Sequence, residues 1–237
     1  MFEHDCSEPL DLRWVTVYIP PKFALTADET AAALSQARFA HLVSHTSNGQ
    51  MVTPLPLIYD AGRHALIGHV ARANPHSGAA GAESVAIFAG PQAYVSPGFY
   101  ATKAETGKVV PTWNYEVLAV HGRLEVYDDA EWVLDLVTQL TERHEADRAQ
   151  PWRVSDAPES YTRAQLHAIV GIAIPVERVD AKAKMSQNQP ARNRTGVVDG
   201  LAASESTTDQ VVSKRVAQLD PKRVDPDRGS TNANGRG

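Results

Sequence analysis

One cysteine, Cys6, is all the chain contains, so it can form neither an intrachain disulfide nor a cysteine-ligated metal cage. It also lacks excess positive charge. A net charge of −5 argues against a broad nucleic-acid footprint, which needs a basic face. No apolar run approaches the length of a membrane span, and the opening MFEHDCSEPLDLRW has early acids and no apolar centre. A secretory signal is therefore not expected, and a cytoplasmic protein without a membrane partner is. There is no GxSxG elbow, no Walker loop, no internal repeat and no pair of adjacent short helices with a reading face. Hydrolase and kinase chemistry are poor expectations on those grounds.

What is present suits one large or two small domains, with 43% hydrophobic residues to build a core. Thr26-Ala27-Asp28-Glu29 reads as a capping box opening a helix that runs to about Ala37. Phe39–Thr46, Met51–Asp60 and Arg63–Val70 read as an antiparallel meander, turned at Ser47–Gln50 and Ala61-Gly62. Pro54 and Pro56 are two apart, so both missing N–H groups face one edge and the sheet should open or split there. Ser84–Gly90 and Gln92–Pro97 read as a further hairpin, Glu116–Tyr127 as a long strand, and Ala168–Ala181 as a last strand. Asp128 and Glu131 are expected to cap a helix with Trp132, Val133, Leu136, Val137 and Leu140 on one stripe. A short helix is expected around Tyr161–Leu166, and Thr195–Leu201 is a weaker helical candidate. From Ser204 onward the absence of aromatics and the mixture of charges with Gly, Asn and Pro predict a disordered tail. Antiparallel strands with peripheral helices point to a mainly β (α+β) barrel, not to βαβ units. The expected organisation is a flexible lead over 1–16, a barrel domain over 17–203 and a polar tail over 204–237.

Three stretches could carry chemistry. Gly68–His76 ends a strand and enters a turn with a guanidinium, an amide and free backbone N–H groups, a combination that suits a phosphate. The same residues also fit a surface ion pair at Arg72 and a turn capped by Asn74. Lys182–Asn188 supplies two lysines, Ser, Gln and Asn, or simply a solvated face. Trp113 and Asn114, at the start of the long strand, could hold a flat heterocycle or plug a core. Metal binding is not expected. His41 and His45 lie on a strand, roughly 13 Å apart at that spacing, and His64 and His69 face opposite sides.

Taken in order, Tyr18-Ile19-Pro20, Pro54–Leu57, GHVARANPH (Gly68–His76), IFAGPQAYVSP (Ile87–Pro97), VVPTWNYEV (Val109–Val117) with His121-Gly122, IVGIAI (Ile169–Ile174) and KAKMSQN (Lys182–Asn188) resemble the PaiB-type FMN-binding negative transcriptional regulators. The resemblance covers about Val17–Leu201. It implies a split β-barrel related to pyridoxamine-phosphate oxidases, with FMN bound at a homodimer interface. On that analogy Arg72 and the turn Ala71–Asn74 would meet the phosphate, and Thr53, Pro54, Leu55, His69 and Val70 would run beside the isoalloxazine ring. Trp113, Asn114, Lys184 and Gln187 would complete the pocket. The chain departs from the family at Phe99 (often Trp), Ala181 (Gly), Met185 (Leu) and Gln189 (Arg), the last removing one positive charge. The resemblance implies a regulator. DNA contact would need a local basic patch such as Lys182–Arg194 paired across a dimer. An FMN-dependent oxidoreductase and a non-catalytic flavin or haem carrier are the alternatives.

Overall fold

The computed structural model describes residues 17–219. The expected lead over 1–16, with Cys6, lies outside the described residues, as does the last part of the expected tail. The chain divides into two compact units that interleave in sequence.

The first unit comprises Ala37–Ile87 and Ala119–Arg178 together with the start of the described chain. Strands β1 (Phe39–Thr46) and β2 (Gly49–Pro56) form a hairpin with Thr46 opposite Gly49 and Phe39 opposite Pro56. The alternating burial of β1 puts Ala40, Leu42 and Ser44 inside. Ser44 Oγ meets Ser84 Oγ at 2.6 Å across the pairing of β1 with β5 (Glu83–Val95). At Leu57 the chain leaves β2 and starts β3 (Ile58–Asp60) in a different sheet. This is the split that the two prolines of β2 foretell, because an edge strand tolerates their missing donors. β3, β4 (Ala65–Ala71), β8 (Ile169–Pro175) and β7 (Glu125–Tyr127) make that second sheet, in the order β3-β4-β8-β7. The first sheet has the order β2-β1-β5-β6-β9, with β6 at Thr112–Arg123 and β9 at Arg178–Lys184.

Helix α3 (Ala130–Glu145) lays Leu136 and Leu140 on the second sheet, against Ile58, Ile67 and Ala173. Each such burial is worth roughly 1.5–3 kcal/mol. Trp132 stacks on Tyr127, ring centroids 4.3 Å apart and planes 2° from parallel. A Cβ at residue 171 would stand 2.0 Å from that indole, so Gly171 is what lets Trp132 lie on β8. The N-cap of α3 is Asp129, which accepts from Trp132 N at 2.8 Å. The expected cap, Asp128, is instead drawn to Arg72. Helix α4 (Glu159–Leu166) follows within the same unit.

The second unit comprises Ile19–Gln36, Phe88–Leu118 and the chain from Val179. Its first helix, α1 (Ala27–Ser35), has the capping box that its sequence predicts: Glu29 accepts from Thr26 N at 2.9 Å while Thr26 Oγ1 accepts from Glu29 N at 3.3 Å. Helix α2 (Thr102–Thr106) is a single short piece. Helices α5 (Ala191–Ala202) and α6 (Thr207–Gln218) enclose a core of Val197, Leu201, Val212, Val216 and Leu219 with Met185 and Tyr100.

Four expectations are corrected. The expected hairpin over Ser84–Pro97 is one continuous strand, β5, in which Gly90 makes no turn. A Cβ there would lie 2.7 Å from Glu116 Cβ, so the glycine serves a close strand approach. The single last strand expected over Ala168–Ala181 is two, β8 and β9. The strands number nine among the described residues, where the sequence suggests six or seven, and they are arranged in two sheets. The segment from Ser204, expected to be disordered, contains α6: Ser206 caps it, Val212 and Val216 recur at helical spacing, and both are fully buried.

Candidate functional site

The predicted site residues fall into two sets, one in each unit. In the first unit, Thr53 on β2 meets the turn that follows β4. Thr53 Oγ1 lies 2.9 Å from His76 Nδ1 and accepts from Asn74 Nδ2 at 3.2 Å. Asn74 also caps the turn, its Oδ1 accepting from His76 N at 2.9 Å. These bonds fix the imidazole of His76, which is 1% exposed, yet its Nε2 is buried with no hydrogen-bond partner. On the adjoining β4, His69 has a second buried ring nitrogen without a partner, Nδ1. Burial pushes both imidazoles below their ordinary pKa, so both are neutral near pH 7 and each ring can donate or accept according to its tautomer. Leu55 and Val70 are buried beside them in sequence, while Pro54 and Ala71 are exposed.

Arg72 does not offer a free guanidinium. Its Nη1 and Nη2 donate to the two carboxylate oxygens of Asp128, both at 2.7 Å, and its Nε donates to His167 O at 2.9 Å. Nη2 also reaches Ile169 O at 3.3 Å. Of the two readings the sequence leaves open, the structure shows the ion pair at Arg72 and the cap at Asn74. The pairing holds the Asp128 carboxyl below its usual range.

In the second unit, Lys184 at the end of β9 donates to Thr112 Oγ1 and, at 2.8 Å, to Trp113 O. Asn114, fully buried, packs its amide against the Ser186 hydroxyl, 3.0 Å from Nδ2. Ser186 holds a left-handed φ of 61°, which costs a residue with a Cβ roughly 1–2 kcal/mol. These groups border a cavity of about 230 Å³ that also takes in Lys108 and Asn193. Gln187 bends back on its own strand, with Oε1 accepting from Met185 N and Nε2 donating to Ala183 O, both at 2.6 Å, and it stays outside the cavity. Trp113 is half exposed and meets Tyr94 edge to face, centroids 6.0 Å apart, so it is no core plug.

Three cations of the stretch Lys182–Arg194 have partners within the chain. Lys182 is buried with its ammonium 5.1 Å over the Tyr115 ring, and Arg192 pairs with Glu105 at 2.8 Å. Arg194 donates to Val216 O and Leu219 O, at 2.8 and 2.6 Å, closing the C-terminal end of α6. Lys182, Arg192 and Arg194 are thus engaged within the chain, while Lys184 borders the cavity.

Sequence reasoning missed His76, Lys108 and Asn193 as site residues. His76 closes the GHVARANPH motif and could have been taken from it. Asn193 meets Thr102, 91 residues away, and Lys108 reaches the cavity with β9 residues far from it in sequence.

Residues 17–178 match the family model described as "Putative FMN-binding domain". A protein of Aspergillus fumigatus is 36% identical over 152 residues, which is 57% of this chain and 58% of that protein, so the chain spans little over half the length of this relative. Protease synthase and sporulation protein PAI 2 of Bacillus subtilis is 28% identical over 208 residues, covering 86% of this chain and 96% of its own. Among solved structures, the FAD and haem binding protein of Mycobacterium smegmatis superposes with a TM-score of 0.52 at 16% identity, over 69% of this chain and 73% of that one. At that identity the likeness establishes the fold alone, a split β-barrel. No helix among the described residues is long and apolar enough to cross a membrane.

Proposed function

The chain belongs to this FMN-binding family, and from that premise we propose that it is a cytoplasmic, homodimeric flavin-holding negative regulator of the PaiB type. The observation that carries the flavin half is the pair of buried, unpartnered imidazole nitrogens, His69 Nδ1 and His76 Nε2, in the GHVARANPH motif. A buried polar atom without a partner costs roughly 1–3 kcal/mol, a cost relieved by a ligand edge that alternates donors and acceptors. The isoalloxazine ring has such an edge, so the residues present fit the group. When bound, FMN supplies reversible electron transfer at that ring.

The chain's own residues bind and orient. Thr53 and Asn74 fix the His76 ring, and Leu55 and Val70 supply apolar walls to exclude water. Arg72, engaged with Asp128, braces the turn Ala71–Asn74 instead of reaching for a ligand. Trp113, Asn114 and Lys184 form the second binding set, with Gln187 shaping the strand end that carries them. The half-exposed Tyr94–Trp113 pair supports a second copy as partner. The likeness to PAI 2 along nearly the whole of that protein supports the regulatory half. With Lys182, Arg192 and Arg194 engaged within the chain, that regulation runs through the flavin and a partner molecule more than through direct DNA contact by this stretch.

Titrating the apoprotein with FMN while following flavin absorbance and fluorescence tests this reading. Saturable binding that weakens in His69→Ala and His76→Ala is the expected result. A folded protein that binds no flavin would overturn it. Turnover of a reductant by the loaded protein would replace the regulator with an FMN-dependent oxidoreductase.

A further inference from the structure

The first unit holds a cavity of about 500 Å³ between α3, the short 3-10 turn Val154–Asp156 and α4. That volume falls within the roughly 300–1,000 Å³ typical of small-ligand pockets. Helix α3 builds one wall with a face that does not pack on the sheet. Leu136 and Leu140 serve the sheet, whereas Leu134, Thr138, Thr141 and Glu142 recur at spacings of three and four on another side. Leu134 stays 40% exposed there. The hydroxyls of Thr138 and Thr141 donate to Leu134 O and Val137 O, at 2.8 and 2.7 Å, which spends both donors on the helix. Val154, Ala157 and Thr162 line the opposite wall. That wall is tied to α3 by Trp152 N, which donates to Glu145 Oε2 at 3.2 Å, and its turn is fixed by Asp156, which accepts from Arg153 N at 2.9 Å.

Two charges of opposite sign border this largely apolar space, those of Glu142 and Arg153. Neither the carboxylate nor the guanidinium has a hydrogen-bond or ion-pair partner among the described residues, and the two do not pair with each other. The remaining charged group, Glu159, is taken by Arg163. A polyanion would meet Glu142 and Glu159, and a polycation would meet Arg153. A carboxylate and a guanidinium held apart beside aliphatic walls complement a molecule that carries an ammonium, a carboxylate and an aliphatic side chain.

We infer that this cavity binds an amphipathic zwitterion, with Glu142 taking the ammonium, Arg153 the carboxylate, and Leu134, Val154 and Ala157 the aliphatic side chain. A free aliphatic amino acid and a short aliphatic peptide share that chemistry and differ in the separation of their end charges. The inference uses none of the residues assigned to the flavin and is independent of that reading.

Calorimetric titration of the full chain, at saturating FMN and again without FMN, tests it with L-leucine and leucyl-leucine. The tighter of the two identifies the source. Glycine and glycylglycine, which keep the charges and lack the side chains, should bind about tenfold more weakly or worse. Glu142→Gln should weaken the zwitterion about five- to twentyfold, between the value of an exposed ion pair and that of a charge-assisted hydrogen bond, and leave N-acetyl-leucine unaffected. Arg153→Gln should act to the same extent and leave leucine methyl ester unaffected. A far-UV spectrum like that of the wild type shows that each variant folds. Zwitterion binding that neither substitution weakens overturns the inference, as does glycine binding as tight as leucine. N-acetyl-leucine binding more tightly than leucine would make the cavity an anion site and overturn it too, and so would a folded chain that binds none of the probes. Leucine binding through Glu142 and Arg153 in a chain that takes up no FMN would leave this site standing while the flavin reading fails.

Discussion

Arg72 and Asp128, 56 residues apart, face each other with both guanidinium–carboxylate distances at 2.7 Å. The pair is open to solvent, with side chains 44% and 66% exposed, so it contributes little to global stability despite good geometry. Its work is local: with the Nε bond to His167 O it ties the end of β4 to the turn before β8. Arg72→Ala should leave the thermal midpoint within about a degree or two and lower FMN affinity only weakly. A hundredfold loss of FMN binding in that variant, measured by fluorescence titration, would return the phosphate to Arg72.

Burial lowers the pKa of His69 and His76 from the ordinary 6.5. The unfolded chain therefore takes up protons that the folded chain refuses. Stability is full above about pH 6.5 and falls as pH drops below it. The carboxylate of Asp128, whose pKa is lowered by Arg72, acts in a separate window below about pH 4. Urea midpoints should fall between pH 7.5 and pH 5.5, and the slope should flatten in His69→Gln/His76→Gln. An unchanged slope in the double variant would place the acid sensitivity elsewhere.

Helix α6 makes the sharpest claim against the composition of its own segment. Val212 and Val216 are fully buried against α5, and Arg194 closes the helix through two carbonyls. Val216→Ala should cost about 2 kcal/mol in urea denaturation. Ending the chain after Ala203 should cost more, because it also uncovers Val197 and Leu201. A truncated protein as stable as the full chain would mean that the helix contributes nothing.

Which features were legible in the sequence depended on how local their causes are. The α1 capping box and the α3 stripe rest on residues three or four apart, and both could be read directly. The sheet split followed from two prolines in one strand. Gly90-Pro91 misled because a Gly-Pro pair usually marks a turn, whereas here the glycine answers to Glu116 on another strand. Helix α6 was missed because three valines and one alanine in twelve residues, with no aromatic, make a weak pattern until the complementary face of α5 is known. At the site, the motifs marked the right stretches but not the partners. Nothing near Arg72 in sequence announces Asp128, and nothing near Lys184 announces Thr112, 72 residues away.

Tyr94 and Trp113 remain 48% and 52% exposed although they contact each other edge to face. Two large aromatics held together yet half bare are costly in water and resemble the anchors enriched at protein interfaces. If they meet a second copy of the chain, replacing both with Ser should remove buried apolar area on each side of a symmetric contact and so act twice per dimer. Sedimentation velocity should show the wild type as a dimer at micromolar concentration and Tyr94→Ser/Trp113→Ser as a monomer with an unchanged far-UV spectrum. Since Trp113 O accepts from Lys184 through the backbone, the substitution leaves that bond in place. Weaker FMN binding by the monomeric variant would then report the missing partner, not a damaged cavity. A variant that stays dimeric would exclude this aromatic pair from the interface.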